Sequence, residues 1–169
     1  YRPKGYELDK QGFPTFKYRN VTRSGALPAN ADPAGNFVDV DFPLFRLAEI
    51  YLIYAESVLR GGSGGDATTA LTYINLLRTR AYGGSMAGNI TQGQLTLDFI
   101  LAERGRELYY EAFRRTDLIR FGEFTTGAYL WAWKGGVIRG TAVADKYNVF
   151  PLPSTDLSSN PNLTQNPGY

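Results

Sequence analysis

Glu103, Glu107 and Glu111 recur at four-residue steps. On a helix that spacing puts three carboxylates on one face. Two carboxylates about 5–5.5 Å apart can hydrolyse a glycosidic bond, one as general acid and one as nucleophile. The same segment carries Arg104, Arg106, Arg114, Arg115 and Arg120, and Arg46, Arg78 and Arg80 precede it. Guanidinium groups pair bidentately with carboxylates and tolerate partial burial. Such pairing keeps a carboxylate ionised, the wrong state for a general acid. The residue types therefore favour a structural ion network of Arg46, Glu49, Glu103, Arg104, Glu107, Glu111, Arg114, Asp117 and Arg120 over a catalytic pair. Glu56 and Arg60 form a further i,i+4 pair. If the first helix is buried, Arg46 or Glu49 must find its partner on the third.

Trp131 and Trp133, two residues apart, are the ligand-binding candidates. In an extended segment they point to one side. Flat indole faces suit the C–H faces of sugar rings. The competing reading is favoured: two large apolar side chains anchor a long loop onto the helices.

Two absences exclude most other chemistry. With no Cys there are no disulfides, thiol nucleophiles or thiolate metal sites. With no His there are no histidine-based triads and no imidazole zinc sites. No calcium-loop spacing occurs, so no metal site is expected. No cofactor is expected either. The Gly61–Gly65 run lacks the Lys-Ser/Thr step of a phosphate loop. Lys and Arg total 18 against 16 Asp and Glu, with no basic stripe, which argues against nucleic acid as a partner. Three Asn-x-Thr sequons, at Asn20, Asn89 and Asn162, matter only in a eukaryotic secreted protein.

The elements that must position these residues follow from hydrophobic period and capping. The 169 residues suffice for one domain with a real core. Residues 1–41 have no helical period, and Phe16-Lys17-Tyr18 reads as a short extended piece. So long a loop suggests a segment that drapes over something else. A first helix is expected from Phe42 or Pro43 to Leu59, capped by Asp41 and buried on more than one side because Ile50 and Ile53 widen its stripe. A second runs from Asp66 or Ala67 to Ala81 and pairs with the first as a tetratricopeptide-like hairpin. A third, long helix starts after Thr96 or Leu97 and carries the three glutamates. A short fourth covers Arg115 to Phe121. Tyr147–Phe150 reads as a short strand, and Ser154 as the cap of a helical turn. The fold class is mainly α, with long wrapping loops. The chain begins at Tyr1 without a signal peptide or an apolar run long enough to span a bilayer, as expected of a mature product or a fragment.

Three blocks, in order, resemble the C-terminal part of the SusD/RagB-like family over roughly residues 15–169. They are Phe45-Arg46-Leu47-Ala48-Glu49-Ile50-Tyr51-Leu52-Ile53-Tyr54-Ala55-Glu56; Glu103-Arg104-Gly105-Arg106-Glu107-Leu108 through Glu111, Arg114 and Asp117-Leu118 to Arg120; and Phe150-Pro151-Leu152-Pro153, Asn160-Pro161-Asn162-Leu163 and Gln165-Asn166-Pro167-Gly168-Tyr169. The resemblance implies a non-catalytic nutrient-binding lipoprotein at the bacterial cell surface. It implies oligosaccharide or polysaccharide as ligand and a TonB-dependent, SusC-like outer-membrane transporter as partner. Family members are about three times longer. Residues 1–169 would then be one C-terminal domain of a longer protein, lipid-anchored to the outer membrane through its absent N-terminus. An exposed apolar patch is expected where the absent part docks. Two alternatives remain: a scaffold or docking region without a ligand site, and a carboxylate-based glycoside hydrolase.

Overall fold

The computed structural model describes residues 17–169 apart from Arg19 and Gly35, and it divides into two compact units, Tyr1–Arg46 and Leu47–Tyr169. No strand occurs among the described residues.

The described part of the first unit is irregular. Local polar closures hold it. The Asp32 carboxylate accepts the N–H groups of Ala34, Asn36 and Phe37, which hold its pKa below the ordinary value. The Asn20 side chain accepts the Asp39 N–H, and the rings of Tyr18 and Phe42 stack at 5.6 Å. Lys17 and Tyr18 form a turn and not an extended piece, Tyr18 having φ 60; Phe16 lies outside the described residues.

The second unit is built on five helices: α1 Leu47–Leu59, α2 Ala67–Ala81, α3 Leu97–Glu107, α4 Arg114–Arg120 and α5 Ser154–Ser159. Ala48, Leu52 and Ala55 of α1 meet Ala70, Ile74 and Leu77 of α2, with Leu95, Ile100 and Leu108 closing the core. Burying a side chain the size of Leu52 or Ile74 stabilises by about 1.5–3 kcal/mol. The α1–α2 hairpin is locked at its turn, where the Asp66 N–H donates to the Tyr54 hydroxyl and Tyr73 stacks on Tyr51 with centroids 4.3 Å apart.

The expected capping of α2 and α3 is present. Asp66 accepts from Thr69 at the start of α2, and Thr96 accepts from Phe99 at the start of α3. At the end of α2 the Gly84 N–H turns back to the Thr79 carbonyl, with Gly83 and Gly84 both at positive φ.

Five expectations are corrected. Helix α1 begins at Leu47 and not at Phe42 or Pro43, so Asp41 is not its cap. Helix formation depends on tertiary packing, and the first buried α1 residue is Ala48, whereas Leu44 and Phe45 lie in the open. The helix also buries one face only: Leu47, Ile50 and Ile53, at three-residue steps, form an exposed apolar stripe. Helix α3 stops at Glu107, and Tyr110 and Ala112 take positive φ in the turn toward α4, so Glu111 leaves the face of Glu103 and Glu107. Tyr147–Phe150 is no strand, because residues 145–148 form a single helical turn. Ser154 is the first residue of α5 and not its cap. No described helix is long and apolar enough to cross a membrane.

Candidate functional site

The acidic and basic side chains form ion pairs that tie the helices together. Arg78 of α2 donates to Glu103 Oε2 at 2.9 Å, and Arg106 donates to the same oxygen. Arg80 reaches Glu107 at 2.6 Å. Buried Arg104 pairs with buried Asp117 at 2.8 Å, and Arg120 joins Asp117 at 3.0 Å to Glu56 at 2.8 Å. Arg60 adds a bond to Glu56 at 2.9 Å. Burial pushes the Glu56 carboxyl up, but hydrogen bonds and charge from Arg120 and Arg60 outweigh it and hold the group below its ordinary pKa. The same bonds from Glu56 hold Arg120 more firmly protonated than usual.

The other residues of the expected network are placed as follows. Arg114 donates to the Leu101 carbonyl and to the Tyr129 hydroxyl. Glu111 is buried beyond the end of α3. Glu49 is buried, with its Oε2 lacking a hydrogen-bond partner. Arg46 is half-buried in the unit that precedes α1. Arginine of α2 thus faces both Glu103 and Glu107 and ties each to the neighbouring helix.

The tryptophans sit in the loop between α4 and the tail. They are not on an extended segment. Trp133 has φ 69, its N–H donates to the Val137 carbonyl, and Gly135 and Gly136 reverse the chain behind it. Gly140, at φ 79, passes so close to the Trp131 carbonyl that a Cβ there would collide with it. Trp131 stacks on Phe124 at 5.9 Å, with the Lys134 ammonium 4.7 Å from its ring centre. Trp133 is 65% exposed, so most of its indole is open to solvent.

Both indoles nonetheless line one groove of about 610 Å³, together with Phe124, Tyr147, Phe150 and Tyr169. Hydrogen bonds fasten its walls. Lys134, buried, donates to the carbonyls of Thr126 and Tyr129 at 2.6 and 2.7 Å. Thr125 donates its hydroxyl to Asp145, and its carbonyl accepts the Val143 N–H. Arg115 of α4 donates to the Tyr147 carbonyl at 2.7 Å and lies 4.1 Å from the ring centre of Phe150.

The C-terminal motif closes the far wall. The Tyr169 hydroxyl lies 3.1 and 2.9 Å from the carbonyls of Lys146 and Val149, and Lys146 Nζ donates to the Gly168 carbonyl. Asn166 donates to the Phe150 carbonyl, while Gln165 exchanges two hydrogen bonds with the Leu152 backbone. Sequence reasoning passed over Arg115, Lys134, Tyr147 and Tyr169 as groove residues. The one signal for them was the Gln-Asn-Pro-Gly-Tyr ending, whose polar side chains act on a segment about twenty residues upstream. Among the described residues, no three His, Cys, Asp or Glu converge to hold a metal ion.

Comparison with known proteins places this architecture. Residues 5–169 match the SusD family. The starch-binding protein SusD of Bacteroides thetaiotaomicron is 44% identical over 158 residues, covering 94% of this chain and 26% of that protein. A crystal structure of a SusD superfamily protein from Bacteroides vulgatus superposes with a TM-score of 0.56 at 33% identity, over 75% of this chain and 27% of that one. The chain therefore spans about a quarter of the length of these relatives. A match over nearly its whole length, the mainly helical fold and the ordered charged and C-terminal blocks agree: the chain belongs to the SusD family.

Proposed function

We propose that this chain takes part in non-catalytic carbohydrate binding at the surface of a bacterium. The bound oligosaccharide would pass to a TonB-dependent, SusC-like transporter in the outer membrane, with the protein lipid-anchored there. The observation that carries the reading is 44% identity to a starch-binding protein over 94% of the chain. The aromatic groove supports a place for that binding: Trp131 and Trp133 offer flat faces for sugar rings, and they stand partly open to solvent on a hydrogen-bonded frame. Contacts of this shallow kind hold a ligand without trapping it, which suits a protein that must pass it on.

The test is native affinity electrophoresis of the chain through gels containing single polysaccharides. Retardation is expected in at least one gel, and replacing Trp131 and Trp133 with Ala is expected to abolish it while the helical circular dichroism stays unchanged. Retardation that survives the double replacement would place binding elsewhere.

A second reading has its own observation. The exposed stripe of Leu47, Ile50 and Ile53 suits a region that braces a larger scaffold. Under that reading the folded chain runs unretarded in every gel.

A further inference from the structure

Charge is distributed unevenly over the second unit. The arginines at 60, 78, 80, 104, 106 and 120 face carboxylates. The cations at the groove do not. Arg115 is engaged by the Tyr147 carbonyl and by the rings of Phe124 and Phe150, at 5.0 and 4.1 Å from their centres. Lys134 is met by two carbonyls and the Trp131 ring. Behind the Tyr147 wall, Lys146 is met by the Gly168 carbonyl and lies 4.8 Å from the centre of the Tyr169 ring. Among the described residues, no Asp, Glu, Asn or Gln side chain lines the groove. Two acids adjoin lining residues in sequence: Asp145 receives the Thr125 hydroxyl at 2.6 Å, and neither it nor Glu123 is part of the lining.

A neutral sugar is held by groups that both accept and donate, and carboxylates and amides supply the acceptors. This groove is poor in them. Among the described residues it offers apolar faces, the hydroxyls of Thr141 and Tyr147, and two cations that no lining Asp or Glu side chain offsets. Arg115 uses one of its guanidinium nitrogens on the Tyr147 carbonyl, which leaves N–H donors for a planar carboxylate.

Resting on the carbohydrate reading above, we propose that the groove selects acidic sugars: oligosaccharides with uronic acid units, their rings stacked on Trp131 and Trp133 and a carboxylate directed to Arg115. Lys134, buried beneath the Trp131 ring, adds favourable field and no direct contact.

The test titrates the whole chain by calorimetry with oligogalacturonate, with maltoheptaose and with dextran sulfate. Oligogalacturonate is expected to bind at least about ten-fold more tightly than maltoheptaose, the scale of one charge-assisted pair. Its affinity is expected to fall several-fold as NaCl rises from about 0.1 M to about 1 M, where the screening length shrinks from about 10 Å to about 3 Å. Arg115→Gln is expected to narrow the ratio between the two sugars, and Arg115→Lys to keep part of it. Because Arg115 also braces Tyr147, the salt dependence of the unaltered chain provides an independent measure. Equal binding of maltoheptaose and oligogalacturonate overturns the acidic preference and leaves the carbohydrate reading standing. Tighter binding of dextran sulfate than of oligogalacturonate overturns it in favour of bare charge. No binding of either oligosaccharide by the folded chain, together with no retardation in any polysaccharide gel, removes the carbohydrate reading itself.

Discussion

At the scale of single residues, burial decides which ion pairs matter. Arg104 and Asp117 are almost wholly withdrawn from water, whereas the side chain of Arg80 stays 59% exposed in its pair with Glu107. Removing one member of a buried pair strands the other charge in a medium that solvates it poorly. Asp117→Asn is therefore expected to lower stability by about 3–5 kcal/mol in urea denaturation. Arg80→Ala is expected to cost about 0–1 kcal/mol, since water and salt already screen that pair. Glu56 gives the fold an acid-side weakness. Its folded-state pKa lies below the ordinary value of 4.5, so its contribution is complete above that value and is lost as pH falls from there through the folded pKa. Melting temperature followed downward from about pH 7 should drop more steeply in the unaltered chain than in Glu56→Gln. Parallel curves would mean that other carboxylates carry the acid sensitivity.

At the scale of elements, α1 is a helix with one satisfied face. Ile74 on α2 is fully buried, while Ile50 on α1 is 49% exposed. Ile74→Ala is expected to cost about 2–5 kcal/mol in chemical denaturation, and Ile50→Ala within about 0.5 kcal/mol of nothing. A large loss from Ile50→Ala in the isolated chain would show that the α1 stripe is covered in solution, for example by a second copy. Helical period alone could not make this distinction. Leu47, Ile50 and Ile53 are as apolar as Leu52 and Ala55, and only the position of α2 and α3 separates the two faces. Caps were more legible. Asp66 and Thr96 act on N–H groups three residues ahead, a range within which sequence and structure are nearly the same thing.

At the scale of the molecule, the tail shapes the candidate site. Gln165, Asn166 and Tyr169 each bond to backbone of residues 146–152, the segment that supplies Tyr147, Val149 and Phe150 to the groove. Tyr169→Ala removes the hydroxyl contacts to the Lys146 and Val149 carbonyls together with the ring that backs Tyr147. The helices are expected to melt almost unchanged, while hydrogen exchange at residues 146–150 accelerates and binding in the polysaccharide gels weakens. Unaltered exchange in that segment would show that the remaining bonds of Gln165 and Asn166 suffice.

From its sequence alone this protein could be read as a mainly helical member of its family, with α2 and α3 correctly started and with arginine set against glutamate and aspartate. Those features depend on local period, on capping and on residue type, and each acts within a few positions along the chain. The tertiary structure decided the rest. It placed the start of α1 where packing begins, and it ended α3 at Glu107 so that Glu111 left the shared face. It also turned Trp133 out of an extended path and gathered Arg115, Lys134, Tyr147 and Tyr169 around the indoles. The bonds responsible join residues such as Arg115 and Tyr147, or Lys146 and Tyr169, more than twenty positions apart. Contacts at that separation depend on how the whole chain closes, and no local pattern encodes them.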